Sequence, residues 1–202
     1  HKLTLDHPAQ YSFVDISQNN HNTNQQHWDN LQWVRNYTSD EPRPLNHVKI
    51  YGADTGTYGT TRDGVERFWR SILGGGASVR FHRPESGIGL NEVARSHPRS
   101  ADMLLSEYDI FRPRPDAQSR LLSNREPDEA YLSRIPGEQY TIYFTDGGSV
   151  EVDLAGVSGS LSVRWLDAAN STWQKGEVIQ GGGSVELTAP GNGHWVVILT
   201  RG

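Results

Sequence analysis

The sequence predicts an α/β segment followed by an all-β segment. Three observations carry that expectation. Over residues 1–110, strand-like apolar runs alternate with helix-periodic runs three times. One of those helical runs places Val65, Phe68, Trp69, Ile72 and Leu73 at i, i+3, i+4, i+7 and i+8, a single apolar stripe. From about residue 115 the runs become short and are alternating or apolar, separated by PGE, DGG, DAANS, QGGG and PGNG. Repeated strand–loop–helix units imply a parallel sheet, and short strands spaced by turns imply an antiparallel sandwich.

The elements follow in order. Residues 11–17 (YSFVDIS) read as a strand, with the polar loop QNNHN after it. Residues 23–37 read as a helix with Trp28, Leu31 and Val34 on one side, and Asn22 or Thr23 suits its N-cap. Residues 48–51 are the second strand. Thr60 or Thr61 caps a helix running to Leu73, and Gly74, Gly75 and Gly76 end it. Residues 77–81 (ASVRF) are the third strand. Residues 90–105 are helical, with Val93, Ala94, Ala101, Leu104 and Leu105 apolar, and Pro98 is expected to kink or split that helix. Residues 113–116 are the expected domain junction. Beyond it, strands are expected at 120–123, 129–135, 140–145, 149–154, 160–166, 177–179, 184–188 and 195–200.

Composition removes several function classes. The formal net charge of −5 disfavours nucleic acid, whose phosphates need a basic footprint. No window approaches the roughly 18 apolar residues of a membrane span, so no membrane partner is expected. The absence of cysteine excludes disulfides, thiol catalysis and Cys-ligated zinc. No leader is visible, and because the chain begins at His1 rather than Met, a processed or truncated product is expected. GADTGTYGTT sits between a strand and a helix, as a phosphate loop would. It lacks the Gly-Lys-Ser/Thr ending, and its glycines miss the dinucleotide spacing. GGGAS follows a helix, the wrong polarity for phosphate. His21 and His27 are six apart and share no helix face, so no metal and no cofactor are expected from this chain alone.

In a parallel α/β sheet, function collects at the carboxyl ends of strands. Those ends are QNNHN, GADTG and HRPESG. Asn20 and His21 offer donors and acceptors for hydroxyl groups. Lys49 and Tyr51 stand at the second strand end, where Lys49 faces either an anionic ligand or an ion-pair partner. Asp54 follows, either as a reactive carboxylate or as a turn residue before Gly. Arg80, His82, Arg83 and Glu85 form the densest polar set in the chain. Asp15 points opposite to Val14 and Ile16, and a structural hydrogen bond is its expected role. Trp165, Trp173 and Trp195 offer either a sugar platform or core packing, and core packing is the expectation because Trp165 and Trp195 lie in apolar strand runs.

Three strand–helix units are too few for a closed barrel. They form either a small open sheet or the last part of a barrel that begins elsewhere. The long segments RPLNHVKIYGADTG and WLDAANSTW…APGNGHW, in the order strand-QNNHN, helix, GGGAS, VRFHRP, helix, EYDIF, resemble the C-terminal half of apiosidase-related bacterial glycoside hydrolases. The resemblance implies strands six to eight of a (β/α)8, or TIM-type, barrel in residues 1–114. It implies an accessory β-sandwich in 115–202, a module that carries a collagen-binding label in that family although nothing here suggests collagen specificity. It further implies a secreted or periplasmic protein that hydrolyses a polysaccharide or glycan with two carboxylates, and a missing N-terminal barrel half as partner. Relatives carry a Glu about where Lys49 stands. A lysine cannot take the nucleophile's part. Asp54 is then the catalytic candidate. Asn20, His21, Lys49, Tyr51, Arg80, His82, Arg83 and Glu85 are the substrate-binding candidates, with an acidic glycan in view. The alternative is a non-catalytic binding or structural module that has lost the catalytic Glu.

Overall fold

A computed structural model describes every residue of the chain except His1, residues 19–21, Thr55 and Ile110. The expected sites Asn20 and His21 lie outside the described residues. The chain divides into two compact units, His1–Ala94 and Arg95–Gly202.

The first unit holds a three-stranded sheet in the order β1 (Val14–Asp15), β2 (Leu45–Ile50), β3 (Ser78–Phe81), with both pairings parallel. Helix α1 (Lys2–Asp6) precedes β1, α2 (Asn24–Tyr37) joins β1 to β2, and α3 (Thr61–Leu73) joins β2 to β3. A single 3-10 turn, Gly56–Tyr58, precedes α3. Leu5, Val14, Ile16, Leu31, Val34 and Leu45 form one buried cluster that ties α1, β1, α2 and β2 together.

Local chemistry explains α3 well. The Thr60 side chain accepts from the Asp63 N–H, and the Asp63 carboxylate accepts from the Thr60 N–H, a reciprocal cap. The expected stripe Val65, Phe68, Trp69, Ile72 and Leu73 is buried. Helix α2 also buries its expected Trp28, Leu31 and Val34, although Thr23 at its N-cap makes no side-chain cap bond. Strand β1 is shorter than the expected 11–17. Among the described residues it pairs only with β2, through Val14 N to Pro44 O and Ile16 N to Asn46 O, so no second neighbour extends the ladder. Strand β2 begins earlier than expected, directly after Pro44.

Helix α4 (Glu92–Leu105) is one unbroken helix with Pro98 inside it, so the expected split does not occur. Proline removes one backbone bond, and a buried face holds the turns on either side. That face is Ala94, His97, Ser100, Ala101 and Leu104, whereas the expected Val93 and Leu105 are exposed. Two of the residues that fill the stripe are polar, which hydrophobic periodicity does not register.

The second unit contains two antiparallel sheets. The larger runs β10 (Thr172–Trp173), β9 (Ser160–Asp167), β13 (Trp195–Arg201), β7 (Gln139–Phe144), β6 (Ala130–Ile135), β4 (Arg114–Pro115), with β11 (Glu177–Gln180) also on β9. The smaller runs β12 (Ser184–Thr188), β8 (Ser149–Asp153), β5 (Leu122–Ser123). Both sheets feed one cluster that includes Val150, Val152, Leu187, Leu132, Ile142, Val163 and Val197. Alternation accounts for it: Leu161, Val163 and Trp165 point into the cluster while Ser160 and Ser162 are exposed. Trp165 and Trp195 belong to this core, and the Arg164 guanidinium lies 4.3 Å over the Trp173 ring. Among the described residues no helix is long and apolar enough to cross a membrane.

Candidate functional site

The carboxyl ends of β1, β2 and β3 are organised by a feature of register. His47 pairs with Val79 and Ile50 pairs with Phe81, so β2 spends three steps where β3 spends two. The extra residue is a β-bulge at Val48 and Lys49. Before it, Leu45 and His47 are buried, and after it Ile50 is buried, so the buried face changes parity. Phe81 stacks on Phe68 of α3 at 4.9 Å, which fixes the helix-facing side of β3. Residues that alternate with these occupy the other, open face.

That open face is polar along its length. Asp15 registers with Asn46, and Asn46 with Ser78. The Ser78 hydroxyl donates to Asn46 Oδ1 at 2.9 Å. Asp15 Oδ1 accepts from the Ser17 N–H at 2.8 Å, the structural bond expected for it, and the Lys49 N–H donates to Ser17 Oγ at 3.0 Å. Further along, Lys49 and Arg80 are exposed, and Arg80 Nε donates to the Val48 carbonyl at 3.2 Å. His82 N donates to Ile50 O at 3.0 Å, which carries the ladder one residue past β3 and keeps His82 on the side of Arg80. Tyr51 meets the His82 ring edge-on at 5.3 Å and stacks on Tyr58 at 5.5 Å. Burial, followed by the positive charges of Arg83, Lys49 and Arg80, lowers the His82 pKa, while Glu85 opposes the shift. Arg83 and Glu85 pair at 3.6 Å with both side chains exposed. Lys49, Tyr51, Arg80, His82, Arg83 and Glu85 thus gather around two adjacent strand ends.

Asp54 sits beyond this group on the GADTG loop with φ +55, a left-handed conformation. Its Oδ1 accepts from the Thr61 N–H at 2.7 Å and its Oδ2 accepts from the Thr61 hydroxyl. Those two bonds hold its carboxyl below the usual range, the hydroxyl bond contributing most. Its own N–H donates to Gly59 O at 3.0 Å, closing the loop. As placed, the carboxylate ties the loop to the first turn of α3.

Two supports of the site carry no sequence signature. Arg67 is buried, and it donates from Nε to Asn22 O at 3.0 Å and from Nη1 to Tyr51 O at 3.1 Å, joining the loops after β1 and β2. Burial lowers its pKa, Arg70 adds to that effect, and Asp63 and Glu66 oppose it. The buried Glu66 accepts from Arg62 and Arg70. Gly52 has φ +142, and a Cβ there would lie 2.6 Å from Thr60 O and 2.8 Å from the Gly64 backbone. Only glycine lets the strand end approach α3 this closely. Tyr58 was also missed. Nothing in GADTGTYGTT distinguishes it, and its stacking on Tyr51 depends on the turn at Gly56–Tyr58. Among the described residues no group of three or more His, Cys, Asp or Glu could hold a metal ion.

No family profile and no curated protein matches the chain. Solved structures do. A protein described as a glycoside hydrolase matches with a TM-score of 0.64 at 16% identity, over 86% of this chain and 46% of that one. A glycoside hydrolase family 5 protein from Bacteroides vulgatus matches with a TM-score of 0.66 at 15% identity, over 88% and 46%. A glucosidase from Croceicoccus marinus matches with a TM-score of 0.52 at 12% identity, over 98% and 56%. The chain therefore has a glycoside-hydrolase-like fold and spans about half the length of these proteins. At such identities the likeness is one of fold.

Proposed function

We propose that this chain is part of a glycoside hydrolase that acts on a polysaccharide or glycan, an acidic one. Residues 1–114 would supply strands six to eight of a (β/α)8 barrel, and residues 115–202 an accessory β-sandwich of the apiosidase-related type. A further barrel half, on the same parent chain or on a separate one, would complete the cleft. A secreted or periplasmic bacterial location fits an extracellular polymer as substrate. One observation carries the reading: a fold like that of glycoside hydrolases presents an open, polar strand-end face bearing Lys49, Tyr51, Arg80 and His82. Aromatic faces and multi-donor side chains suit sugar rings and their hydroxyls.

In this reading Asn20, His21, Lys49, Tyr51, Arg80, His82, Arg83 and Glu85 contact the glycan. Asp54 is the carboxylate on the seventh-strand loop, and its partner would come from the fourth strand. Hydrolysis needs both, one to stabilise or attack the oxocarbenium centre and one to protonate the leaving oxygen. For Asp54 to act, its carboxylate must leave Thr61. The Thr61 bonds therefore favour a second reading, a glycan-binding or structural module without hydrolysis.

The test is sugar release by the full-length protein from acidic and neutral polysaccharides, with Asp54→Asn as the variant. The amide keeps an oxygen for the Thr61 N–H and loses the charge. Loss of turnover with an unchanged fold supports Asp54 as catalytic, and unchanged turnover removes it. Binding without release by the natural protein supports the module reading.

A further inference from the structure

Arg80 stands between Val79 and Phe81, whose partners on β2 are His47 and Ile50. The residues of β2 opposite Arg80 are therefore the bulged pair, Val48 and Lys49. Two cationic residues are thus cross-strand neighbours on the open face. Like charges opposite one another on a sheet are destabilising. Neither side chain takes part in an ion pair among the described residues. Among the described residues the Lys49 side chain makes no hydrogen bond, and the Arg80 side chain makes only its Nε bond to the Val48 carbonyl. The carboxylates of the neighbouring strand ends are engaged elsewhere: Asp15 with Ser17, Asp54 with Thr61, and Glu85 with Arg83. The Arg80 Nε bond anchors the guanidinium over β2, and its other nitrogens, unbonded among the described residues, suit a planar acceptor. Beside the two cations, Tyr51 is stacked between Tyr58 and the edge of His82.

We propose that the Val48–Lys49 bulge builds an anion clamp, in which Lys49 and Arg80 hold the carboxylate or sulfate of one glycan residue while its ring lies against Tyr51 and Tyr58. This rests on the glycan reading above and specifies the substrate class. The bulge is what makes the clamp. Without it, the alternation that buries Leu45 and His47 would bury position 49 as well. A neutral sugar would leave both cations unpaired, so the clamp selects against it. An exposed clamp is also screened, so its grip weakens with added salt.

Calorimetric titration of the full-length protein tests this with four probes: an oligogalacturonate, its methyl ester, a sulfated galactan oligosaccharide, and its desulfated form. The expected result is binding of a charged probe in preference to its neutral counterpart. Lys49→Met and Arg80→Met should each weaken that binding by about tenfold to a hundredfold, the loss of one charge-assisted contact. Lys49→Arg should retain it. Circular dichroism and melting curves confirm that each variant is folded. Preference for the oligogalacturonate identifies a carboxylate site, and preference for the sulfated probe a sulfate site. Equal binding of charged and neutral probes, or unchanged binding in both Met variants, overturns the clamp and leaves the glycan reading standing. Binding of none of the four overturns both.

Discussion

The Ser100 hydroxyl of α4 donates a 2.8 Å hydrogen bond to the carbonyl of Ala168, in the turn between β9 and β10. Ser171 in the same turn donates to the Ser96 carbonyl at 3.0 Å, and its hydroxyl oxygen lies 2.8 Å from that of Ser100. One helical turn away, His97 meets His194 edge-on at 5.5 Å, and the Tyr143 hydroxyl is 2.8 Å from His194 Nδ1. The polar stripe of α4 is therefore fastened to the β-sheet unit by specific bonds. Apolar contact alone would not fix its rotation.

Ser100→Ala should destabilise this unit. The variant leaves the buried Ala168 carbonyl without its donor, at a cost of about 1–2 kcal/mol. The urea midpoint should fall while the dependence on denaturant is unchanged. A Ser100→Ala protein as stable as the natural one would show that the bond contributes nothing net.

Acid should weaken both units through their buried histidines. His47 lies against His27 at 5.4 Å, with neither ring nitrogen bonded among the described residues, and burial lowers its pKa to about 4, with Asp15 opposing the shift. Burial lowers His97 to about 3, His194 adding to the shift and Asp167 opposing it. For each residue the folded pKa lies below the unfolded value of about 6.5, so the unfolded chain binds more protons in between. Stability is therefore full above about pH 6.5 and falls as pH drops towards 4 for His47 and towards 3 for His97. The loss is on the order of a few kcal/mol per residue at most. Urea midpoints measured from pH 7 to pH 4 read it directly. His47→Leu should flatten the slope, and an unchanged slope would mean that other groups cause it.

Gly52→Ala should cost about 2–4 kcal/mol, because φ +142 is strained for alanine and the new methyl would press on the Thr60 and Gly64 backbone. A melting curve checks the cost. A drop of less than a degree would show that the loop moves aside freely.

Much of the architecture is written in local chemistry. The Thr60–Asp63 cap and the apolar period of α3 lie within a few residues of each other, and the helix forms where they place it. The strands of the second unit were legible as short alternating or apolar runs between turn residues, with the two-residue β4 and β10 as the exceptions. Such short strands exist only because a neighbour pairs with them, Arg114 with Arg134 and Thr172 with Asp167.

The site was legible as a list of residues but not as an arrangement. Lys49, Tyr51, Arg80 and His82 stood out as polar or aromatic groups at strand ends. That Lys49 and Arg80 face each other follows from the register between β2 and β3, which are joined only through the length of α3. The buried Arg67 carries no signal in the sequence, and its role comes from the acceptors that Asn22 and Tyr51 supply. By itself, the sequence determined α2, α3 and most strands of the second unit, together with the apolar faces of α2 and α3, since these depend on neighbours within one or two turns. The tertiary structure alone decided where β2 bulges, which polar groups are satisfied in the interior, and which two cations meet, because each depends on a partner distant in the chain.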